Sequence, residues 1–433
     1  MNIMHKLVHV LWGDITGKEI RHFGLLSLIS FAFIGTYSML RPLKEIVFMH
    51  FVGTFYLPSA KIASFLVMIP LTLLYGFLVD VVEKHQLFYI FCSLYGSLFL
   101  GLSYALAHPA TGLAAAKATQ WGLTGWIFYI GIESFIMLML ALFWSFVASS
   151  TKTESAKRCY PLIMAVTQTG SIVGPEFAKN AKHFGVPLLI CGAGLCMFAI
   201  IAIVRALVIF NPQIITVEKS KRPTGPIEGL RLVLTRPYLI AFVSTTALYT
   251  MVSAMLEYQI MHRVQEHFTT LEQMATFTGS LVQTTNLVAL VFALIGSSFF
   301  MRNFGVRACM VAFPLLVMGI IAYVWHFPHL WVLFGAIVIL KGLSYALNTP
   351  CKETLYIPTS LDIKFKAKSW IDGFGYRGFF AMGASINTFF NSTATLMAVG
   401  PLVAMGMCGL WASIAWYLGT KNSELIAKKK IID

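Results

Sequence analysis

Apolar residues run through this chain in stretches of roughly 20, the length a helix needs to cross a bilayer core. Such windows recur near residues 23–40, 60–80, 87–107, 122–148, 160–178, 184–210, 237–257, 278–300, 306–326, 330–348, 370–392 and 396–418. The fourth window is the strongest. The fifth, PLIMAVTQTGSIVGPEFA, is the weakest, because Thr167, Gln168, Thr169 and Pro175 dilute it. The longest interruption, 211–236, is charged and carries Pro212, Pro223 and Pro226. It divides the windows six and six. The pattern predicts an all-α polytopic membrane protein with twelve transmembrane helices. An N-terminal six-helix half over 1–210 joins, through a cytoplasmic linker at 211–236, a C-terminal six-helix half over 237–433. Ahead of the first window, the patch LVHVLW is too short for a signal core, and charges follow it instead of a cleavage site. It reads as an amphipathic surface helix, with Gly17 as a break.

Composition agrees with the pattern: of 433 residues, 58% are hydrophobic and 12% charged, which excludes a soluble protein. The net charge of +14 raises nucleic acid as a partner, but the basic residues are scattered through short loops and form no patch. Their placement sets orientation instead. One side collects Lys6, Lys18 and Arg21, then Lys84, then Lys152, Lys157 and Arg158. It goes on with Lys219, Lys221, Arg222, Arg231 and Arg236, then Arg302 and Arg307, then Lys364, Lys366 and Lys368. The tail adds Lys421, Lys428, Lys429 and Lys430, whereas the other side holds only Lys61, Lys117, Lys179, Lys182 and Arg263. Both termini are therefore expected in the cytoplasm. Two six-span halves joined by a basic cytoplasmic loop outline a major-facilitator-like secondary transporter. Cys92, Cys159, Cys191, Cys196, Cys309, Cys351 and Cys408 form no CxxC pair and read as small core residues, so no metal is expected. With no GxxxxGK[ST] loop and no nucleophile–base pair, the chain does not read as an enzyme, and no cofactor is implied.

Charges inside the windows are few, and each is costly unless it faces a cavity or a partner. Span one ends in YSMLRPLKEIVF, where Arg41 and Lys44 share a face if the helix continues past Pro42. The bland alternative places Arg41, Lys44 and Glu45 beyond the membrane edge, snorkelling. Span four carries Glu133 and span seven Glu257; each becomes interfacial if its span is shifted, Glu257 more readily because Tyr258 and His262 neighbour it. Between spans ten and eleven runs KGLSYALNTPCKETLYIPTSLDIKFKAKSWIDGFGYR, where Pro350 and Pro358 are expected to interrupt any helix. Here Lys341 reads as snorkelling or bonding a carbonyl. Asp372 and Arg377 read as pairing with each other or with Arg158, as a gate more than a binding site. Cations from both halves, facing one central site, would hold an anion, and Lys or Arg are natural partners of phosphate oxygens. Glu133 or Glu257 would carry a coupling proton, anchor a polar group of the substrate, or balance the cations of an empty site. Tyr37, Trp144, Tyr249 and Tyr356 are candidates to stack a base.

These residues resemble a known family, the nucleotide transporters of intracellular bacteria and plastids (ATP/ADP translocases of the NTT type). Leu40-Arg41-Pro42-Leu43-Lys44-Glu45 looks like the family's L-R-x-x-K-[DE]. Glu133 with Phe143-Trp144 resembles its span-four glutamate and aromatic pair, and Glu257 falls at its span-seven glutamate. Glu154 to Pro161 resembles E-A-K-R-x-Y-P, and Pro350 to Pro358 resembles P-x-K-E-x-x-Y-I-P, continued by Lys368, Ile371-Asp372 and Arg377. The resemblance spans nearly the whole chain. It implies ATP, ADP or a related nucleotide as substrate, with Lys44, Glu133, Glu257 and Lys352 at the functionally important charged positions and phosphate contacts for the lysines. Arg41 joins them as a candidate substrate contact. Two departures are visible: the loops and tail are trimmed, and Pro42-Leu43 replaces the family's polar pair. The expectation is a monomeric transporter of a bacterial inner membrane, working by alternating access and driven by counter-exchange or a proton gradient. The competing readings are a proton-coupled major-facilitator symporter for another small anion or a peptide, and a non-transporting scaffold or enzyme whose charges pair off internally.

Overall fold

The computed structural model describes residues 17–110, 112–115, 119, 121–150, 153–210, 231, 233–356, 358–360, 363, 370–371, 375–390 and 393–428, of which 18, 80, 148–149, 153–161, 293–302 and 393–394 by backbone alone. Among these the elements are helices: α1 (Gly17–Phe51), α2 (Leu57–Val81), α3 (Lys84–Ala107), α4 (Leu123–Ser150), α5 (Thr153–Lys179) and α6 (Val186–Phe210). There follow α7 (Pro237–His267), α8 (Leu271–His326), α9 (Leu330–Leu343), α10 (Thr349–Leu355), α11 (Tyr376–Ile386) and α12 (Thr393–Ala427). Ten stretches among the described residues are long and apolar enough to cross a membrane. Side chains such as Leu73, Phe77, Leu94, Leu188 and Leu410 remain exposed on them, as lipid-facing positions should. Of the twelve windows, the fifth and eleventh are not among the ten. The fifth forms a helix, α5, whose polar residues lower its hydropathy; the eleventh is described only as the 11-residue α11. The amphipathic segment expected before residue 17 and most of the expected linker lie outside the described residues.

The chain divides into two compact units, one comprising Met1–Gly53, Leu66–Lys221 and Thr270–Gln283, the other Thr54–Phe65, Arg222–Thr269 and Thr284–Asp433. In the first, α1 packs against α4, α5 and α6, and α3 against α4 and α6. The polar residues that dilute window five are spent on α1: the Thr167 hydroxyl lies 2.8 Å from that of Ser30. Small residues let the two backbones close up, as in many membrane helix pairs. A Cβ added to Gly174 would sit 2.2 Å from the Gly35 carbonyl oxygen, and one on Gly170 2.8 Å from that of Phe31. Gly174→Val is therefore expected to lower stability by about 3 kcal/mol, the upper end of ordinary overpacking. Gly24→Ala, with nothing within 4 Å of the added carbon, should leave stability unchanged or slightly raised. Thermal unfolding in detergent checks both.

In the second unit, α7 packs against α9, α11, α12 and the 3₁₀ turn Thr54–Tyr56. Windows eight and nine are two helices that meet at Gly305, inside the short basic segment expected between them. Its φ of 76° is open to glycine at no steric cost. One departure from the sequence reading occurs here: Pro350 does not interrupt the helix. A π turn, Ser344–Asn348, widens the backbone just before it, and Pro350 sits in the first turn of α10, where its missing N–H costs nothing. The helical path ends only after Leu355.

Candidate functional site

Each unit holds a Lys–Glu ion pair largely withdrawn from the surface. In the first unit, α1 runs unbroken through Pro42 to Phe51, so Arg41 and Lys44 do share a face. Lys44 is only 4% exposed, which removes the snorkelling alternative for it. Its ammonium donates to a carboxylate oxygen of Glu133 on α4 and lies 4.6 Å from the centroid of the Tyr129 ring. Tyr129 and Glu133 stand one turn apart on α4, so one helix face supplies both contacts. Glu133 is ten residues into α4, about 15 Å along the axis at 1.5 Å per residue, near the middle of a bilayer core about 30 Å thick. It is not interfacial. Arg41 is half-buried one turn before Lys44.

In the second unit, Glu257 on α7 pairs with Lys341 on α9 at 2.9 Å, with both side chains about 15% exposed. Glu257 lies ten residues before the end of α7, and Lys341 lies eleven residues into the continuous helical stretch Leu330–Leu355, again about 15 Å from the nearer end. The snorkelling expected of Lys341 is therefore wrong, because a lysine so far from the helix start cannot bring its ammonium to that surface and finds a carboxylate instead. The sequence carried a signal for this: Lys341 interrupts FGAIVILKGL, deep within its apolar run. The two pairs are built alike with opposite polarity. In the first unit the opening helix carries the cation and the fourth window the anion; in the second unit the opening helix carries the anion.

Lys352 stands apart from Lys341, on α10 beyond the π turn. It lines a small pocket with Thr245, Asn348, Met310, Phe313 and Trp411, a wall of polar and aromatic groups. Among the aromatic candidates, Tyr249 packs against Phe313 and Trp411, and Tyr356 is buried edge-on to Phe242 with centroids 4.7 Å apart, so core packing accounts for both. Of the expected gate, Asp372 and the Arg158 side chain lie outside the described residues. Arg377, in the first turn of α11, is half-buried with its Nη1 lacking a hydrogen-bond partner. No group of three or more His, Cys, Asp or Glu able to hold a metal occurs among the described residues.

Comparison with known proteins gives a consistent result. The family described as TLC ATP/ADP transporter matches residues 2–422. The chain is 25% identical to ADP,ATP carrier protein 1 of Rickettsia prowazekii, with 90% of this chain and 89% of that protein covered. It is 24% identical to the chloroplastic ADP,ATP carrier protein 2 of Arabidopsis thaliana, covering 94% of this chain and 75% of that one. Among solved structures, a bacterial homologue of the iron transporter ferroportin in an inward-facing state superposes with a TM-score of 0.66 at 14% identity, covering 94% of this chain and all of that one. The peptide transporter POT in complex with sulfate gives 0.62 at 12% identity, over 97% and 99% of the two chains. These structural likenesses show that the chain shares the fold of those two transporters.

Proposed function

Because the chain belongs to the TLC ATP/ADP transporter family, we propose that it is a multi-pass membrane transporter that exchanges ATP and ADP, and that its buried lysines hold the phosphates. The observation that carries this reading is the pair of largely buried Lys–Glu contacts, one in each unit. A buried ion pair is weak as a stabilising device, since the desolvation of two charges offsets most of their attraction. Two such pairs near mid-membrane make better sense as sites that must be occupied by one anion or another. With nucleotide absent, Glu133 neutralises Lys44 and Glu257 neutralises Lys341. A polyphosphate, richer in acceptor oxygens, takes the carboxylate's place. Arg41 and Lys352 add further donors. Glu133 and Glu257 are the carboxylates that a coupling proton would use.

The rest of the reading follows from charge and hydropathy. Twelve spans in two six-helix halves, 1–210 and 237–433, place both termini in the cytoplasm of a bacterial cell whose inner membrane holds the protein as a monomer. Arg158, Asp372 and Arg377 serve as gating pairs. The chain transports and does not catalyse. Uptake of labelled ATP into proteoliposomes, challenged with unlabelled ATP, ADP, adenosine, inorganic phosphate and a dipeptide, tests the substrate. ATP and ADP are expected to compete and the others not. Competition by the phosphate or dipeptide alone would favour the symporter of another small anion or peptide.

A further inference from the structure

Lys61 is counted by its position among the topology charges of a loop, yet only 7% of it is exposed. It sits in the first turns of α2, within the second unit, with its ammonium 4.5 Å from the centroid of the Phe380 ring on α11. Nearby, the α11 backbone at Gly378 closes onto Phe65: a Cβ added there would be 3.4 Å from the Phe65 ring. The partners 61–380 and 65–378 run in opposite directions, so the two helices cross antiparallel. Three residues on from Lys61 is Ser64, and three residues back from Phe380 is Arg377; antiparallel crossing brings them to one level. Ser64 is 6% exposed and its hydroxyl has no partner, and the Nη1 of Arg377 is buried without one. Spacing by three keeps Lys61 with Ser64, and Arg377 with Phe380, on shared faces. The seam thus gathers an ammonium, a guanidinium nitrogen and a hydroxyl. None of the three has an ion pair among the described residues. An aromatic ring compensates a desolvated ammonium only in part, whereas buried donors left without an acceptor keep their full desolvation cost.

We propose that Lys61, Ser64 and Arg377 form an anion site that takes a phosphate group, separate from the Lys–Glu pairs. All three side chains can donate and the two charged ones cannot accept, which specifies an oxyanion with several acceptor oxygens. That the phosphate belongs to a nucleotide rests on the exchange reading above; the site itself does not. Arg377 is then a ligand contact more than a gating partner, and Phe380 is the lid on the ammonium when the site is empty.

The test is equilibrium binding of inorganic tripolyphosphate to the full chain in nanodiscs, with ATP/ADP exchange measured on chains that keep Lys44 and Lys341. The preparations carry Lys44→Met and Lys341→Met for the binding measurement, so that the Lys–Glu pairs do not contribute; this background should bind, and adding Lys61→Gln should weaken binding at least tenfold. Ser64→Ala should weaken it about threefold, and Lys61→Arg should stay within about threefold of the background. Thermal unfolding of each variant identifies any that are misfolded, and Lys61→Arg keeps the question open to an answer if Lys61→Gln is among them. Absence of binding by the folded background, unchanged binding by a folded Lys61→Gln, or equal losses for Lys61→Arg and Lys61→Gln would each overturn the site. Lys61-dependent binding without exchange would remove the nucleotide reading and leave the site standing. Exchange with Lys61-independent binding would do the reverse.

Discussion

Lys44→Met is expected to abolish ATP/ADP exchange and to lower stability by about 3–5 kcal/mol, the cost of leaving one partner of a buried pair alone. The residue left behind is Glu133, half-buried near mid-membrane with its lysine gone. The double variant Lys44→Met, Glu133→Gln removes both charges and is expected to recover most of the stability. Exchange should stay absent, because the phosphate donor is still missing. A hydrogen bond to a charged group contributes about 1.5–3 kcal/mol, so removing one phosphate donor should weaken apparent nucleotide affinity about tenfold to hundredfold. Thermal unfolding and proteoliposome exchange, run on the single and double variants, separate the two effects. If the double variant regained exchange along with stability, Lys44 would be a structural cation and nothing more.

The second large effect falls on Lys341. Lys341→Met should lose exchange as fully as Lys44→Met and destabilise the second unit by a similar amount, since Glu257 then loses its lysine. The sharper variant exchanges the partners, Lys341→Glu with Glu257→Lys. The pair is remade across the same 2.9 Å contact, so stability should return. The cation, however, has moved from α9 to α7, and a phosphate held from α9 loses its donor. Exchange is expected to stay below a tenth of wild type. Recovery of both stability and exchange would assign the pair to packing alone.

Much of this was legible in the sequence, and the gaps have physical causes. Ten of the twelve windows reappear as helices long and apolar enough to cross, because bilayer thickness sets helix length directly. The fifth was weak for the reason the structure gives. Thr167 and the glycines at 170 and 174 serve a helix contact, which hydropathy scores as polarity. The family signatures placed Lys44, Glu133 and Glu257, and the structure brings the first two together. It was partner choice that sequence could not supply. The apolar run around Lys341 says that it is deep, but its carboxylate lies on a helix 84 positions earlier, so the sequence reads it as snorkelling or bonding a carbonyl. Lys61 failed in the opposite direction: near the start of its span, it looked like a loop charge, and only the α11 contact shows it buried. Pro350 misled for a third reason, because the π turn that accommodates it leaves no sequence signal.

The central claim is that this chain exchanges nucleotides, with each Lys–Glu pair closed only while the carrier is empty. The most direct measurement loads proteoliposomes with labelled ADP and follows its release. Unlabelled ATP added outside should release the label rapidly, buffer alone should not, and Lys44→Met and Lys341→Met should not respond to ATP. Release that is equally fast without external nucleotide, or unaffected by either substitution, would contradict the account.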